Sequence, residues 1–298
     1  RLWRILPLGP TGHGNSPYGA RSTMAGNPLL ISLNLLVKEG LLSDEELSHS
    51  PPFPPDRVDY EAVDAFKTPL LRRAHRRFMD SATEAQRADF EAFCQANAFW
   101  LEDYALFMAL KEAHRGAPWT RWEASAARRR PEDLERWRRQ LQESIQFRRF
   151  TQYQFSRQWA VVKRYANERG VRIIGDLPIF VDLDSSDVWS RQGLFHLDAH
   201  GRPTVVSGVP PDYFSKTGQR WGNPLYRWDV MAGEGYGWWV ERFRATMQQV
   251  DLVRIDHFRG FEAYWEVPAR HKTAERGRWV KGPGEDLFRA LERALGPL

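Results

Sequence analysis

The sequence is poor in the residues that cross-link, anchor or coordinate. A single cysteine, Cys94, in 298 residues excludes an internal disulfide and, in a chain of this length, points to a reducing compartment, so a cytoplasmic protein is expected. No apolar run approaches the roughly 18 residues that a membrane-spanning helix needs. The opening Arg1-Leu2-Trp3-Arg4 lacks the layout of a signal peptide, and no membrane partner is expected. Gly9-Pro10-Thr11-Gly12-His13-Gly14 has no following Lys-Ser or Lys-Thr to hold phosphate and magnesium. His13, His196, His200 and His257 show no metal-ligand spacing. No cofactor and no metal are therefore expected. Internal repeats are missing as well, which excludes a solenoid. Methionine is absent from the first position, and the chain opens directly in an apolar run; it is read as a fragment of a longer protein.

What is present is charge and aromatic surface. A net charge of +5 invites a nucleic-acid reading. Yet the densest basic stretch, Arg128 to Arg149, interleaves Glu132, Asp133, Glu135 and Glu143 at helical spacings. That is the pattern of a solvated helix face laced with ion pairs, and no nucleic-acid partner is expected. The 13 Trp, beside 17 Phe and 9 Tyr, stand out more. Flat aromatic faces build cores, and they also pack against the apolar faces of sugar rings.

Three apolar runs each end in a turn rich in Gly, Pro or Asp: Leu2 to Gly9, Val171 to Asp176 and Val250 to Asp256. Their short, leucine-rich and β-branched character is that of buried parallel strands. Helical spacing precedes two of them, over Tyr153 to Arg169 (stopped by Gly170) and Trp238 to Met247. Repetition of helix, short loop and buried strand predicts an α/β fold, either a barrel or a doubly wound sheet. Between the first two runs, after the stiff Pro51-Pro52-Phe53-Pro54-Pro55, amphipathic helices are predicted over Tyr60 to Asp80, Glu84 to Glu112 and Pro131 to Phe150. The expected organisation is a barrel segment at 1–50, a helical insertion at 51–150 and a barrel segment at 151–181. A loop-rich subdomain over the active-site end follows at 182–236, and a further barrel segment at 237–298.

In such a fold the polar residues at the C-terminal ends of strands are the ones to weigh. Asp176 and Asp256 both sit there, and Arg254 shares a strand face with Asp256 because the two are two residues apart. An arginine beside a carboxylate keeps it ionised, as a carboxylate nucleophile requires. Taken alone, such an Arg-x-Asp reads first as a structural ion pair lining the barrel, with the catalytic role as the alternative.

Four segments go further: LPLGPTGHGNSPY with AGNPLLI (Leu6 to Ile31), GDLPIFV (Gly175 to Val181), SGVPPDYFSKTGQRWGNPLY (Ser207 to Tyr226) and VRIDHFRGFEAYWEVPA (Val253 to Ala269). Together they resemble, in order, the amylomaltase or disproportionating-enzyme family of 4-α-glucanotransferases, glycoside hydrolase family seventy-seven of the α-amylase superfamily. The resemblance implies a partial (β/α)8 TIM barrel, about strands 2 to 4, with a helical insertion and a loop-rich subdomain. It implies a retaining transfer of α-1,4-glucan segments between malto-oligosaccharides. Asp256 would be the nucleophile, with Arg254 its electrostatic partner and His257 following it. Asp176 would lie near the bound sugar, and Ser16 and Tyr18 on the donor side. Tyr213 and Phe214 would be loop aromatics over the acceptor side, in a loop completed by Gln219, Trp221 and Asn223.

The family's acid/base Glu lies at the end of a fifth strand and has no counterpart here; Glu262, Glu266 and Glu285 are the nearest carboxylates, and none fits the motif. A barrel without its first and last four strands is expected not to close, so an inactive fragment that only binds maltodextrin is an alternative. An α-amylase-like hydrolase is another, although Asp176 is followed by Leu177-Pro178-Ile179-Phe180 where the superfamily has Asn-His.

Overall fold

A computed structural model describes residues 1–297. Among them run seven strands: β1 (Leu2–Arg4), β2 (Arg172–Pro178), β3 (Val205–Val209), β4 (Gln219–Pro224), β5 (Leu252–Asp256), β6 (Ala263–Pro268) and β7 (Arg278–Lys281). The longer helices are α1 (Tyr60–Ser81), α2 (Glu84–Ala96), α3 (Ala98–Ala113), α4 (Pro131–Gln140), α5 (Gln142–Glu168), α6 (Gly237–Gln249) and α7 (Glu285–Leu295). The architecture is mixed α/β.

The three apolar runs form one parallel sheet of order β1-β2-β5. Parallel neighbours need a crossover, and α5 and α6 supply the helices that lead into β2 and β5. Gly170, at φ +68°, takes the left-handed turn that ends α5. The lower end of the sheet is pinned by Asp251, which accepts from the Ile173 amide at 2.7 Å, and by Lys163, which donates to the Val250 carbonyl at 2.9 Å. In this register Asp176 faces Arg254 and Pro178 faces Asp256, which sets the candidate groups side by side.

Three helix boundaries differ from the sequence pattern, the first being the helix expected over 131–150, which breaks at Leu141 between α4 and α5. The helix expected over 84–112 is split at Asn97, whose amide donates to the Phe93 carbonyl at 2.9 Å while its side-chain oxygen accepts from Trp100 Nε1 at 3.2 Å. A short polar side chain thus competes with the helical ladder. Conversely, Phe150 and Tyr153 lie in one uninterrupted α5, which contains no Gly or Pro, so the expected boundary at 150/151 falls inside a helix.

The larger difference is a second sheet. Strands β3, β4, β6 and β7 form an antiparallel sheet of order β4-β3-β6-β7, with Val205 opposite Pro268 and Trp265 opposite Trp279. It crosses the expected boundary at 236/237, because half its strands come from the loop-rich region and half from beyond β5.

Two cores hold the elements together. One gathers Phe107, Trp119, Trp189 and Trp239 with Leu287 and Leu291 of α7. The other packs Leu36, Leu71, Phe78, Phe147 and Phe150 between the first segment, α1 and α5. Each such side chain contributes roughly 1.5–3 kcal/mol by leaving water. Much of the tryptophan is therefore core. Within the basic stretch Arg136 pairs with Asp133 at 3.2 Å and Arg138 with Glu135 at 3.7 Å at the expected helical spacing, while Arg129 and Arg148 reach α3, pairing with Asp103 at 2.6 Å and Glu112 at 3.0 Å. No helix among the described residues is long and apolar enough to cross a membrane.

His75 is buried beside Phe147 and Phe150, and its Nε2 has no partner among the described residues. Burial lowers its pKa from 6.5 to about 4. Between those values the unfolded chain takes up a proton that the folded chain refuses, so stability falls as pH drops from 6.5 to about 4. His75→Phe is expected to flatten that part of a urea-denaturation series against pH. An unchanged slope would show that the imidazole does not contribute to it.

Candidate active site

The site is built where the parallel strands end. Asp176, on the central strand β2, has a side chain with no solvent exposure, yet it is fully partnered. Its Oδ1 accepts from Arg254 Nη1 of β5 at 2.6 Å. Its Oδ2 accepts from the Tyr18 hydroxyl at 2.8 Å and from Arg4 Nη2 of β1 at 3.1 Å. Burial would raise the pKa of Asp176, but the bonds from Tyr18, Arg254 and Arg4 outweigh it and hold the carboxyl below the usual aspartate range. The same contacts act on Tyr18 in the opposite sense: burial and the bond to Asp176 push its phenol up, so it remains a donor.

Tyr18 reaches Asp176 because the loop after β1 folds back on itself. Gly12 packs so closely against Gly19 that a Cβ there would meet the Gly19 carbonyl oxygen at 2.1 Å. Ser16 caps the short turn Pro17–Gly19, its Oγ accepting from the Tyr18 amide at 3.3 Å. Ser16 therefore holds the residue that reaches the site.

Asp256 closes β5. Its Oδ1 lies 3.0 Å from Arg254 Nη2, and its side chain is 41% exposed. One guanidinium thus bridges a buried carboxylate and an accessible one. Bonds to both raise the proton affinity of Arg254, so it stays charged. A small cavity of about 50 Å³ lies behind Tyr18, Asp176 and Arg242, whereas Asp256 stands at the accessible end of its strand.

His257 follows in the left-handed region, at φ +53°, a conformation uncommon outside glycine and often found beside functional groups. Its ring stands edge-on to Trp221, with centroids 4.8 Å apart, and lies 6.4 Å from Phe180. Burial pulls its pKa down against the opposing charge of Asp256, and its Nε2 is buried without a partner among the described residues.

The remaining candidates divide. Trp221 is half exposed beside His257 and donates from Nε1 to Gln219 Oε1 at 3.2 Å. Asn223 spends its amide inside the protein, donating to the Val181 carbonyl at 3.0 Å and accepting from Ser207 at 3.0 Å. Tyr213 and Phe214 are fully exposed on the loop between β3 and β4. That loop is shaped by Asp212, whose Oδ1 accepts from the Phe214 and Ser215 amides at 2.9 and 2.8 Å. Glu266 pairs with Arg278 at 2.7 Å and Glu285 with Arg289 at 2.7 Å. Among the described residues neither of these, nor Glu262, hydrogen-bonds to Asp176, Arg254 or Asp256. No group of three or more His, Cys, Asp or Glu among the described residues is placed to hold a metal ion.

The family profile of the 4-alpha-glucanotransferases of glycoside hydrolase family 77 matches residues 1–297. The chain belongs to this family. The 4-alpha-glucanotransferase of Thermus thermophilus is 53% identical over 296 residues, covering 99% of this chain and 58% of that protein. That of a Synechocystis strain is 50% identical over 296 residues, covering 99% and 59%. A solved amylomaltase from Streptococcus agalactiae, in complex with acarbose, superposes with a TM-score of 0.95 at 39% identity, covering all of this chain and 60% of that one. The chain thus spans a little under three fifths of the curated relatives it matches.

Two contributors were not visible as site residues in the sequence. Arg4 sits in an apolar run 172 residues before its partner Asp176. Arg242, on α6, is fully buried, donates to the Pro178 and Ile179 carbonyls at the end of β2, and stacks on Trp239 with its guanidinium 4.7 Å from the ring. A charged residue amid apolar helix positions was the only available signal for it.

Proposed function

We propose that the protein transfers α-1,4-glucan segments between malto-oligosaccharides by a retaining double displacement. The observation that carries this is the Asp176–Arg254–Asp256 bridge at the ends of adjacent parallel strands, in a chain of the 4-alpha-glucanotransferase family. Asp256 attacks the anomeric carbon of the donor. The bond to the leaving glucan oxygen breaks as that oxygen takes a proton from the acid/base carboxyl, and a β-glucosyl ester forms on Asp256. An acceptor hydroxyl then gives its proton back to the acid/base and displaces Asp256. Two such carboxyls stand roughly 5 Å apart in retaining enzymes; the second is assigned to the part of the family's length outside these residues.

In this reading β1, β2 and β5 are about strands 2 to 4 of a (β/α)8 barrel, α1 to α4 belong to a helical insertion, and β3 and β4 lie in a subdomain over the site. Asp176, Tyr18 and His257 lie beside the bound sugar, the ring of His257 held edge-on to Trp221. Trp221 offers a flat face, while Gln219, Asn223 and Ser16 shape the loops that present these groups. The compartment is the cytoplasm, and no cofactor is used. The full-length protein incubated with maltotriose should give glucose and a ladder of longer maltodextrins. Formation of shorter sugars alone would make it a hydrolase.

Tyr213 and Phe214 lie ready to cover the acceptor side when the loop between β3 and β4 closes. Phe214→Ala is expected to lower the ratio of transfer to hydrolysis at least about threefold, because water then reaches the glucosyl ester. A ratio equal to that of the wild type would remove Phe214 from this role.

A further inference from the structure

Arg4 is the one member of the Asp176 network that no motif points to. It ends β1 in register with Ile174. Side chains two apart on a strand share a face, so Arg4 emerges on the face of Ile174 and Asp176 and reaches forward along the strand to Asp176 Oδ2, 3.1 Å away. The groups facing Asp176 are then Arg4 from β1, Tyr18 from the loop after it, and Arg254 from β5, with Asp256 behind Arg254. Two cations and two carboxylates balance.

The division of oxygens matters. With Arg4 and Tyr18 on Oδ2, only Oδ1 is left to Arg254, which binds it through Nη1 alone and turns Nη2 to Asp256. An arginine beside a carboxylate with both oxygens open prefers the two-pronged arrangement. Here that arrangement would draw Nη2 away from Asp256.

We propose that Arg4 is a positioning residue of the transfer site: by occupying Asp176 Oδ2 it restricts Arg254 to one prong on Asp176 and keeps the other on Asp256. The proposal rests on the transferase reading for its kinetic consequences, though not for its structural ones.

The test uses the full-length protein and three variants. Arg4→Met removes both donor and charge; kcat for maltotriose disproportionation is expected to fall about tenfold with KM little altered. The acid limb of its pH–rate profile should move to higher pH, lowering the rate at pH 4.5 relative to pH 7 at least about threefold. Arg4→Lys should restore most of both. Arg4→Gln, a neutral donor, should restore the rate at pH 7 but not the acid limb. A merely structural residue would lower stability without moving that limb. Carbon-13 NMR of the Asp176 carboxyl, assigned by its loss in Asp176→Asn, gives a reading independent of turnover: in Arg4→Met its titration should move up. An unmoved Asp176 titration overturns the proposal. If wild type makes no ladder while Asp176 still responds to Arg4, the transferase reading fails and the positioning of Asp176 by Arg4 stands.

Discussion

Asp256→Asn in the full-length protein is expected to reduce glucan transfer at least about 10³-fold, equivalent to about 4 kcal/mol at the transition state, with little change in thermal stability. An amide oxygen is neutral and a poor nucleophile, so the first displacement loses its attacking group. The fold should tolerate the change. Among the described residues Asp256 has one ion pair, to Arg254, at a half-exposed position, and such a pair contributes about 1 kcal/mol or less. Arg254 keeps its bond to Asp176 in the variant, so the site stays assembled. Activity and melting temperature measured on the same preparation separate the two effects. Transfer within tenfold of wild type would remove the proposed nucleophile; a collapse in stability would show Asp256 to be a structural ion pair.

The largest effect on stability is expected from Arg242→Ala, about 3–5 kcal/mol. This side chain is fully buried, stacks on Trp239, and donates to the Pro178 and Ile179 carbonyls. Truncation leaves a cavity against the tryptophan and takes the guanidinium donor from Pro178, whereas Ile179 keeps the Tyr226 hydroxyl at 2.7 Å. It also strips the buried Asp187 of an opposing charge. For a chain of this size the melting temperature should fall by about 5–8 °C. Because Pro178 pairs with Asp256, loosening the end of β2 should be felt at the site before global unfolding. A loss below about 1 kcal/mol would mean that the strand end is held by its ladder bonds alone.

What could be read from the sequence followed from short-range rules. The three parallel strands announce themselves as apolar runs ended by polar residues, and Arg254 and Asp256 share a face by simple alternation, as their 3.0 Å contact shows. The antiparallel sheet was hidden. β4 reads Gln-Arg-Trp-Gly-Asn-Pro, with no apolar alternation, and its place is set by pairing with β3 and, through it, with β6 more than forty residues on. The continuity of α5 across Phe150 accords with a sequence that holds no Gly or Pro between Gln142 and Glu168. The Asp176 network was half visible: the aspartate stands at a strand end, but its partners Arg4 and Tyr18 come from residues 172 and 158 positions away. Tyr213 and Phe214 show the converse. Their segment is among the most distinctive in the sequence, yet their exposed side chains define no site without the loop movement proposed for them.

The central claim is that Asp256 carries the glucosyl group during transfer. The most direct measurement is to incubate the full-length protein with 5-fluoro-α-glucosyl fluoride, which forms such an ester readily and releases it slowly, and to map the adduct by mass spectrometry after trypsin digestion. The account predicts an added fluoroglucosyl mass on the peptide Ile255–Arg259, lost in Asp256→Asn. An adduct on the peptide bearing Asp176, or turnover with inversion at the anomeric carbon, would contradict it.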